Sequence, residues 1–399
     1  MTLELDKIVR QVEQMGQVLA ERAGRERQAL PAAQDLLHRF ADQREFLVQV
    51  AASDAGRRLR CASPQPSSGV RPDPEPLDAI RSAPDLPEHT ALIAVDGSQI
   101  YPDRHGLAFY YAINVGCIVY RHGSGQAPQV GTEPRVFFLE EDVYPDGEPV
   151  TADLVSAQRG LAEMQQLVNA TLAEGTPGAP CVALADGPLL LWLQGVTVPA
   201  RVQARILAEY LTGLDQLRAA SAAVAGFVSR PHSAEVVALL CLAESTANAT
   251  PAPKRLADTR YRGLTDRALF GFLAPGQRSA LFVRGAAAND QFHEHGHTIC
   301  TFYLNTGADL ARVEVPLWVA HSADRLDLIH AAVYEQCRLN NGYPYILTRA
   351  DELAVILGAE RDGLESMIVR AMLRRGLDFP VLSQKAQQKK VARWRRGYQ

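Results

Sequence analysis

The feature that most constrains the fold is a proline-dense segment that separates two different sequence patterns. Prolines stand at 64, 66, 72, 74, 76, 84 and 87. Proline fixes φ and has no backbone N–H, so prolines this dense exclude a helix and favour an extended connector. The pattern predicts a helical appendage over residues 1–60, a Pro-rich linker over 61–88 and one large domain over 89–399.

The predicted appendage is amphipathic. Apolar residues recur at spacings of three and four, which is the period of a helix with one apolar face: Leu5, Ile8, Val12, Met15 and Leu19. An apolar face of this kind must be buried against something. We therefore expect this segment to serve in dimerisation or in docking a partner protein.

From residue 90 the pattern changes to alternating strands and helices. Five predicted strands are "LIAVDG", "GLAFYYAINVGCIVYR", "RVFFLEE", "PCVALADG" and "AAVAGFVSR". Helices are predicted at 151–174 and at about 198–220, and the chain closes with helices near 324–341, 350–358 and 362–375. Further strands are predicted at "SALFVRG", "ICTFYLN" and "ARVEVPLWVA". This order predicts an α/β fold with a mixed sheet flanked by helices.

Two of the predicted strands end on a carboxylate. "IAVDGS" finishes on Asp96 and "VALADGP" on Asp186. Ligands of open α/β sheets gather beyond the carboxyl ends of the strands, so the two side chains are expected within a few Å of each other. Such carboxylates raise each other's pKa unless a cation neutralises them, and oxygen-only ligands suit Mg²⁺ or Mn²⁺.

A third carboxylate is expected from the intervening helix. Glu163 follows Arg159 by four residues, at the edge of the predicted buried face. A strand Asp, a helix Glu and a second strand Asp can hold a pair of divalent metals that clamp the attacking water and the leaving oxygen of a phosphodiester.

These motifs together resemble the NurA nuclease family, which has an RNase H-like fold. The resemblance rests on DGS after the first strand, R-x-x-x-E in the helix, "ADGPLL" at the later strand end and "NNGYPYILTRADELAVI" near the C-terminus. By this resemblance Asp96, Glu163 and Asp186 match the family's metal-binding acids, and Tyr343 matches its late tyrosine. Many members have a histidine where this chain has Asp351, which remains a competent ligand for a hard metal.

The resemblance also implies an activity and partners. It implies a Mn²⁺-dependent deoxyribonuclease with 5'-3' exonuclease and single-strand endonuclease activity. It further implies a homodimer that acts with a HerA-type hexameric ATPase in the resection of DNA ends and in DNA repair. Expected contacts to DNA phosphates are Arg230 in "FVSRPHS" and, in the basic C-terminal tail, Lys385, Lys389, Lys390 and Arg393.

Simpler interpretations remain open for most of these residues. Asp96 and Asp186 fit strand-end turns, and Glu163 fits a surface ion pair with Arg159. Asp351 fits the N-cap of a helix that begins there. Tyr343 fits a packing role, and the basic tail fits a solvated charged segment.

Composition narrows the class of protein further. The net charge of −4 argues against general coating of nucleic acid, and six cysteines without a CxxC pair indicate reduced thiols. The N-terminus lacks the apolar core of a signal peptide, so we expect a soluble cytoplasmic protein. Two rival functions stay open: an actin-like ATPase or sugar kinase, and a non-catalytic adaptor that docks an ATPase ring.

Overall fold

The computed structural model describes residues 4–65, 75–106, 108–174, 180–191, 193 and 199–377. In chain order the helices are α1 (Val9–Arg39), α2 (Arg44–Ala52), α3 (Asp54–Leu59), α4 (Glu140–Val143), α5 (Ala152–Glu174), α6 (Ala200–Ala219), α7 (Glu235–Ala247), α8 (Asp266–Leu269), α9 (Ala288–Glu294), α10 (Leu317–Ala320), α11 (Ala323–Leu339), α12 (Tyr345–Ala354) and α13 (Gly358–Arg374). The strands are β1 (Ser63–Pro64), β2 (Arg81–Ser82), β3 (Ala91–Ile100), β4 (Tyr111–Arg121), β5 (Gln129–Phe137), β6 (Cys181–Asp186), β7 (Ala223–Val228), β8 (Gln277–Arg278), β9 (Phe282–Val283), β10 (Ile299–Asn305) and β11 (Leu310–Pro316).

The chain divides into two compact units, and each is built from three separate segments. The first unit comprises Met1–Pro87, Gly187–Leu190 and Ala223–Tyr345. The second comprises Glu88–Asp186, Leu191–Ala222 and Ile346–Gln399. This division differs from the predicted one. A boundary falls near residue 88 and the predicted N-terminal helical region is present, while residues 89–399 are shared between the two units.

The N-terminal helices belong to the core of the first unit. The second half of α1 and the helices α2, α7 and α8 share one apolar cluster, in which Leu37, Leu47, Leu239 and Phe270 are almost fully buried. The same cluster includes Tyr303 of β10. The apolar period of residues 29–47 therefore serves this core, whereas Val12, Met15 and Leu19 in the first half of α1, and Leu5 just before it, remain exposed.

The predicted linker is also bound into the first unit where it is described. Strand β1 pairs with β9 and β2 pairs with β8, both antiparallel. Leu77 between them is buried. Prolines permit such short edge pairings because an edge strand can leave one side without hydrogen bonds. The remaining strands of the first unit form the order β9-β10-β11-β7.

The second unit holds the RNase H-like arrangement expected from the sequence. Its strand order is β5-β4-β3-β6, in which β3 pairs antiparallel with β4 and parallel with β6. Helix α5 forms the connection between the antiparallel strands and β6, and it packs on β3, β4 and α6. The prediction of a mixed sheet flanked by helices is confirmed.

Several predicted boundaries were wrong. Strand β5 ends at Phe137, and the last two residues of the predicted strand "RVFFLEE", Glu140 and Glu141, begin helix α4. Strand β11 ends at Pro316, and Leu317–Ala320 turn into helix α10. Short apolar runs do not distinguish a strand from a helix by period alone, which explains both errors. Within the described residues, no helix is both long enough and apolar enough to cross a membrane.

The packing of α1 predicts that its two halves differ in their contribution to stability. Leu37 is fully buried in the first unit, so Leu37→Ala should lower the free energy of unfolding by ~2–5 kcal/mol. Gln14 in the first half of α1 is exposed, so Gln14→Ala should change it by less than ~0.5 kcal/mol. Chemical denaturation of both variants measures this difference. Equal effects would contradict the assignment of the second half of α1 to the core.

Candidate active site

Strand β3 places Asp96 and Gly97 on opposite faces of the second unit's sheet. Asp96 lies opposite Gly116 of β4, and successive residues of a strand alternate between faces. One oxygen of Asp96 accepts a hydrogen bond of 2.8 Å from the backbone N–H of Gly97. The carboxyl groups of Asp96 and Asp351 lie within hydrogen-bonding reach of each other.

Helix α12 is held against the Asp96 face by close backbone contacts. Ser98 Oγ donates to the carbonyl of Ala354, and Asn114 Nδ2 donates to the same carbonyl at 2.9 Å. Gly116 lets the helix approach, because a Cβ there would lie 2.4 Å from the carbonyl oxygen of Ala350. These contacts fix the helix that carries Asp351.

The interpretation of Asp351 as a helix N-cap is wrong. Helix α12 begins at Tyr345, so Asp351 lies inside the helix and its carbonyl accepts a hydrogen bond from Val355 N–H. The predicted helix at 350–358 left out the residues "YILTRA" before Asp351, which the structure places inside α12. Their side chains instead form the buried face of the helix, where Ile346, Leu347 and Ala350 have almost no exposure.

Helix α5 approaches β3 from the other face, where Gly97 has no side chain. A Cβ on Gly97 would lie 2.5 Å from Oε1 of Glu163 and 2.9 Å from Cγ of Arg159. Glu163 is therefore packed directly against the strand, and its side chain is only 16% exposed. The DGS motif thus includes a glycine whose absent side chain makes room for the acid of the helix.

Asp186 ends the neighbouring parallel strand at the same level as Asp96. The paired register of β3 and β6 ends with Val95 opposite Ala185, one residue before each acid. Gly187 follows with φ of +92°, a conformation that favours glycine and turns the chain away from the strand. The prediction that the two strand-end acids lie together is therefore supported by the register.

The acids raise one another's affinity for protons. The pKa of Asp96 is raised to about 6, mainly by burial. Asp186 and Asp351 contribute to this rise, and the hydrogen bond from the Gly97 N–H opposes it. Burial raises the pKa of Glu163 to about 7, with Arg159 opposing and with Asp96 and Asp186 adding to the rise. Perturbed carboxylates gathered at one strand end are typical of functional sites.

Arg159 lies between the strand and the acids. Its Nη1 donates to the carbonyl oxygen of Gly97 at 3.0 Å and to Oε1 of Glu163 at 2.9 Å. The same atom is 3.9 Å from Oδ1 of Asp96. The ion pair between Arg159 and Glu163 that the sequence left open is present, and it lies inside the acidic cluster rather than on a solvated surface.

The donor set fits a hard divalent cation in its chemistry. All four acidic side chains, Asp96, Glu163, Asp186 and Asp351, offer carboxylate oxygens, the ligands that Mg²⁺ and Mn²⁺ prefer. Burial first, and then the neighbouring acids, raise the pKa values of Asp96 and Glu163, and a bound cation would favour the ionised form of both groups. Across the described ranges, however, no three His, Cys, Asp or Glu side chains are close enough to form a ready-made metal-binding group.

The other predicted residues belong to the first unit or lie outside the described ranges. Tyr343 belongs to the first unit, where its ring packs edge-on against Phe227 with centroids 5.3 Å apart. Arg230 also belongs to the first unit and pairs with Asp309 at 3.1 Å. The predicted tail contacts lie outside the described residues: Lys385, Lys389, Lys390 and Arg393.

Sequence reasoning missed the residues that position the acids. Ser98, Asn114 and Gly116 carry no charge and have no distinctive spacing in the sequence. The one sequence signal for their role is that Ser98 and Asn114 lie on adjacent predicted strands. The register that brings these two residues opposite each other was not predictable from the sequence. Arg159 was noted only as a partner of Glu163.

The fold and the cluster define an α/β protein of the RNase H-like class, with carboxylates from two adjacent parallel strands and two helices. The family model described as the NurA domain matches residues 90–356. This match covers more than half of the 399 residues. The chain belongs to the NurA family.

Comparison with solved structures gives three similar proteins of note. The NurA nuclease from Sulfolobus solfataricus is 12% identical, with a TM-score of 0.47 over 75% of this chain and 87% of that one. A NurA bound to dAMP and manganese is 10% identical, with a TM-score of 0.34 over 69% and 86%. A type 1 RNase H is 12% identical, with a TM-score of 0.21 over 43% and 78%. Comparison with curated protein sequences gives no match.

The raised pKa values predict how the stability of the metal-free protein depends on pH. The pKa of Asp96 is about 6 against an ordinary value of 3.8, and that of Glu163 is about 7 against 4.5. The folded chain therefore binds protons that the unfolded chain releases between about pH 4 and pH 7. The stabilisation is present at the lower end of this window and is lost as the pH rises through the folded pKa values.

We expect the free energy of unfolding in EDTA to fall on the order of 2–5 kcal/mol between about pH 5 and pH 8. Urea titrations across this range measure it. Glu163→Gln removes one of the two groups, so its curve should be visibly flatter than that of the wild type. A wild-type stability that rises with pH in this window would contradict the assignment.

Proposed function

We propose that this protein is a divalent-metal-dependent deoxyribonuclease that uses Mn²⁺ or Mg²⁺. The observation that carries the proposal is the cluster of Asp96, Glu163, Asp186 and Asp351 in the second unit, in which burial and the neighbouring acids raise the pKa values of Asp96 and Glu163. Membership in the NurA family supports the nuclease activity. One of the similar structures is described as bound to dAMP and manganese, which supports the choice of metal and of a DNA substrate.

In this proposal Asp96 and Asp186 hold the metal at the strand ends, and Glu163 and Asp351 complete the ligand set from the two helices. When bound, the metal ions supply Lewis-acid activation of the attacking water and offset negative charge on the leaving oxygen. The chain's own contribution is to hold the carboxylates in place. Gly97 gives Glu163 its access to the strand, and the bonds from Ser98 and Asn114 anchor the helix of Asp351.

The contacts with DNA and with partners are part of the same proposal. Phosphate contacts are proposed for Arg230 and for the tail residues Lys385, Lys389, Lys390 and Arg393. Asp309 already holds Arg230, so a phosphate would have to compete with this carboxylate. A HerA-type hexameric ATPase is the proposed partner in processing DNA ends, with cleavage in the 5'-3' direction and of single strands.

Asp96→Asn tests the assignment of the site. The amide keeps the volume of the side chain but removes one anionic ligand, so we expect cleavage of labelled linear and single-stranded DNA to fall by at least ~100-fold with Mn²⁺ or Mg²⁺. EDTA should abolish wild-type cleavage. Asp54→Asn changes an acid of the first unit whose side chain is 94% exposed, so this control should retain activity.

The outcomes separate the proposed function from its rivals. Wild-type turnover in a folded Asp96→Asn protein would show that the site is wrongly assigned. A wild-type protein that cleaves no DNA with either metal would favour the non-catalytic adaptor. Metal-dependent hydrolysis of ATP in place of DNA would favour the actin-like class.

We also propose that the protein is a homodimer and that the first half of α1 contributes to the interface. Leu5, Val12, Met15 and Leu19 continue a 3-4 apolar repeat and are each more than half exposed. This spacing matches the a and d positions of a coiled coil, which bury their side chains against a second helix. The flanking residues Val9, Gln11, Gly16 and Val18 are uncharged, so two copies of this helix would meet without like-charge repulsion.

Charged residues in this apolar repeat should separate the two copies. We expect Val12→Asp/Leu19→Asp to convert a dimer into a monomer in light-scattering measurements at micromolar concentration. Gln14→Asp/Gln17→Asp adds the same charge to the opposite side of the helix and should leave the mass unchanged. A dimer that persists in the first variant would exclude this part of α1 from the interface.

A further inference from the structure

We propose that Arg159 is the resident counter-cation of the acidic cluster, and that a divalent metal must displace its guanidinium in order to bind. Metal binding would then be an exchange of one cation for another. The inference rests on the proposed metal site, but it concerns a residue that is not among the proposed ligands. Removal of Arg159 should then tighten metal binding, whereas removal of an arginine that orients metal ligands should weaken it.

The position of the guanidinium is the first argument. Nη1 of Arg159 lies 2.9 Å from Glu163 and 3.9 Å from Asp96, two acids that belong to different elements of the second unit. Cationic nitrogen at these distances from two carboxylates gives the same kind of electrostatic stabilisation that a metal ion would give. A divalent ion shared by Asp96 and Glu163 would lie close to this nitrogen and would be repelled by it.

Arg159 also makes fewer hydrogen bonds than its guanidinium could make. Arg159 uses Nη1 for both of its hydrogen bonds, and its Nε is buried without a hydrogen-bond partner in the described structure. A structural arginine elsewhere in the same unit behaves differently. Arg121 holds both oxygens of Glu174 through Nε and Nη2, the two-pronged geometry that such pairs favour. Arg159 is therefore held less completely than Arg121.

The space around Arg159 is the third argument. The Arg159 side chain is 32% exposed, so part of it already borders solvent. Its Cγ packs where Gly97 lacks a side chain, so the stem can stay in place while the end of the side chain turns away. Displacement therefore requires no movement of β3 or of α5.

The two possible roles of Arg159 predict opposite changes in metal affinity. If Arg159 orients Glu163 and Asp96 for the metal, its removal should weaken binding. If Arg159 is a competing cation, its removal should leave the acids more negative and should tighten binding. The metal-free protein should at the same time lose stability, because the repulsion between the acids is no longer offset.

The test measures Mn²⁺ binding by calorimetry and the thermal midpoint with and without MnCl₂, at constant neutral pH. Arg159→Gln removes the charge but keeps an amide that can donate to the Gly97 carbonyl, so the fold should be retained. We expect its Mn²⁺ dissociation constant to fall by about tenfold, its metal-free midpoint to fall, and its Mn²⁺-induced shift to grow. Arg159→Lys keeps the charge and should bind Mn²⁺ as the wild type does.

Arg121→Gln is the matched control. It removes a partly buried arginine that pairs with the far end of α5. Glu174 lies eleven residues beyond Glu163, about 16 Å along the helix. The control should lower the metal-free midpoint and leave the Mn²⁺-induced shift unchanged.

The outcomes distinguish failure of this inference from failure of the proposed metal site. If the wild type and Asp96→Asn both fail to bind Mn²⁺, the metal site is wrongly assigned, and the proposed exchange of Arg159 for a metal ion is wrong as well. If the wild type binds Mn²⁺ and Asp96→Asn does not, the site stands. Unchanged or weaker binding by Arg159→Gln would then overturn the exchange alone.

Discussion

The burial of mutually repelling carboxylates at one end of β3 is the constraint on which the rest of the second unit depends. Asp96 and Glu163 each prefer to hold a proton at a pH where exposed acids are ionised. Such an arrangement persists only where the surrounding structure holds it, because the acids would otherwise move apart. The fold meets this demand by anchoring the acids to two strands and two helices and by placing Arg159 among them.

Two glycines let helices reach the strands from opposite faces. Gly97 admits Glu163 and the stem of Arg159 on one face, and Gly116 admits the backbone of α12 on the other. A larger side chain at either position would clash severely with the helix that packs there. The acids from helices and strands can therefore lie close together, because the two glycines leave room for a helix to contact the strand backbone. The DGS motif combines both requirements, since its Asp supplies a carboxylate and its Gly supplies the space.

Sequence reasoning located the acids better than it located their supports. Asp96 and Asp186 follow from apolar runs that end in a carboxylate, and the parallel register of β3 and β6 places them at the same level. Asp351 was found through family resemblance, but its helix was misplaced because the apolar residues of "YPYILTRA" fit a strand or loop as well as a helix. Ser98, Asn114 and Gly116 were not predictable, because their role depends on which residues of β3 and β4 face each other.

The organisation of the units was the least predictable feature. The proline-dense segment indicated a linker, and its described part instead contributes β1, β2 and the buried Leu77 to the first unit. Local composition reports the stiffness of a segment but not the partner against which it packs. The helices α1 to α3 likewise gave a clear amphipathic pattern without revealing that their core partners are α7 and α8.

The interleaving of the two units has a consequence for how the chain folds. Each unit closes only when its third segment is present, and these begin at Ala223 and Ile346. During synthesis the buried faces of α1 to α3 must wait for residues about 200 positions later, and the strand that carries Asp96 must wait for α12 (about 250 positions). No single cut in the chain yields either unit whole. We therefore expect stable folding to wait for these late, long-range contacts, and the apolar helices to be open to wrong contacts until then.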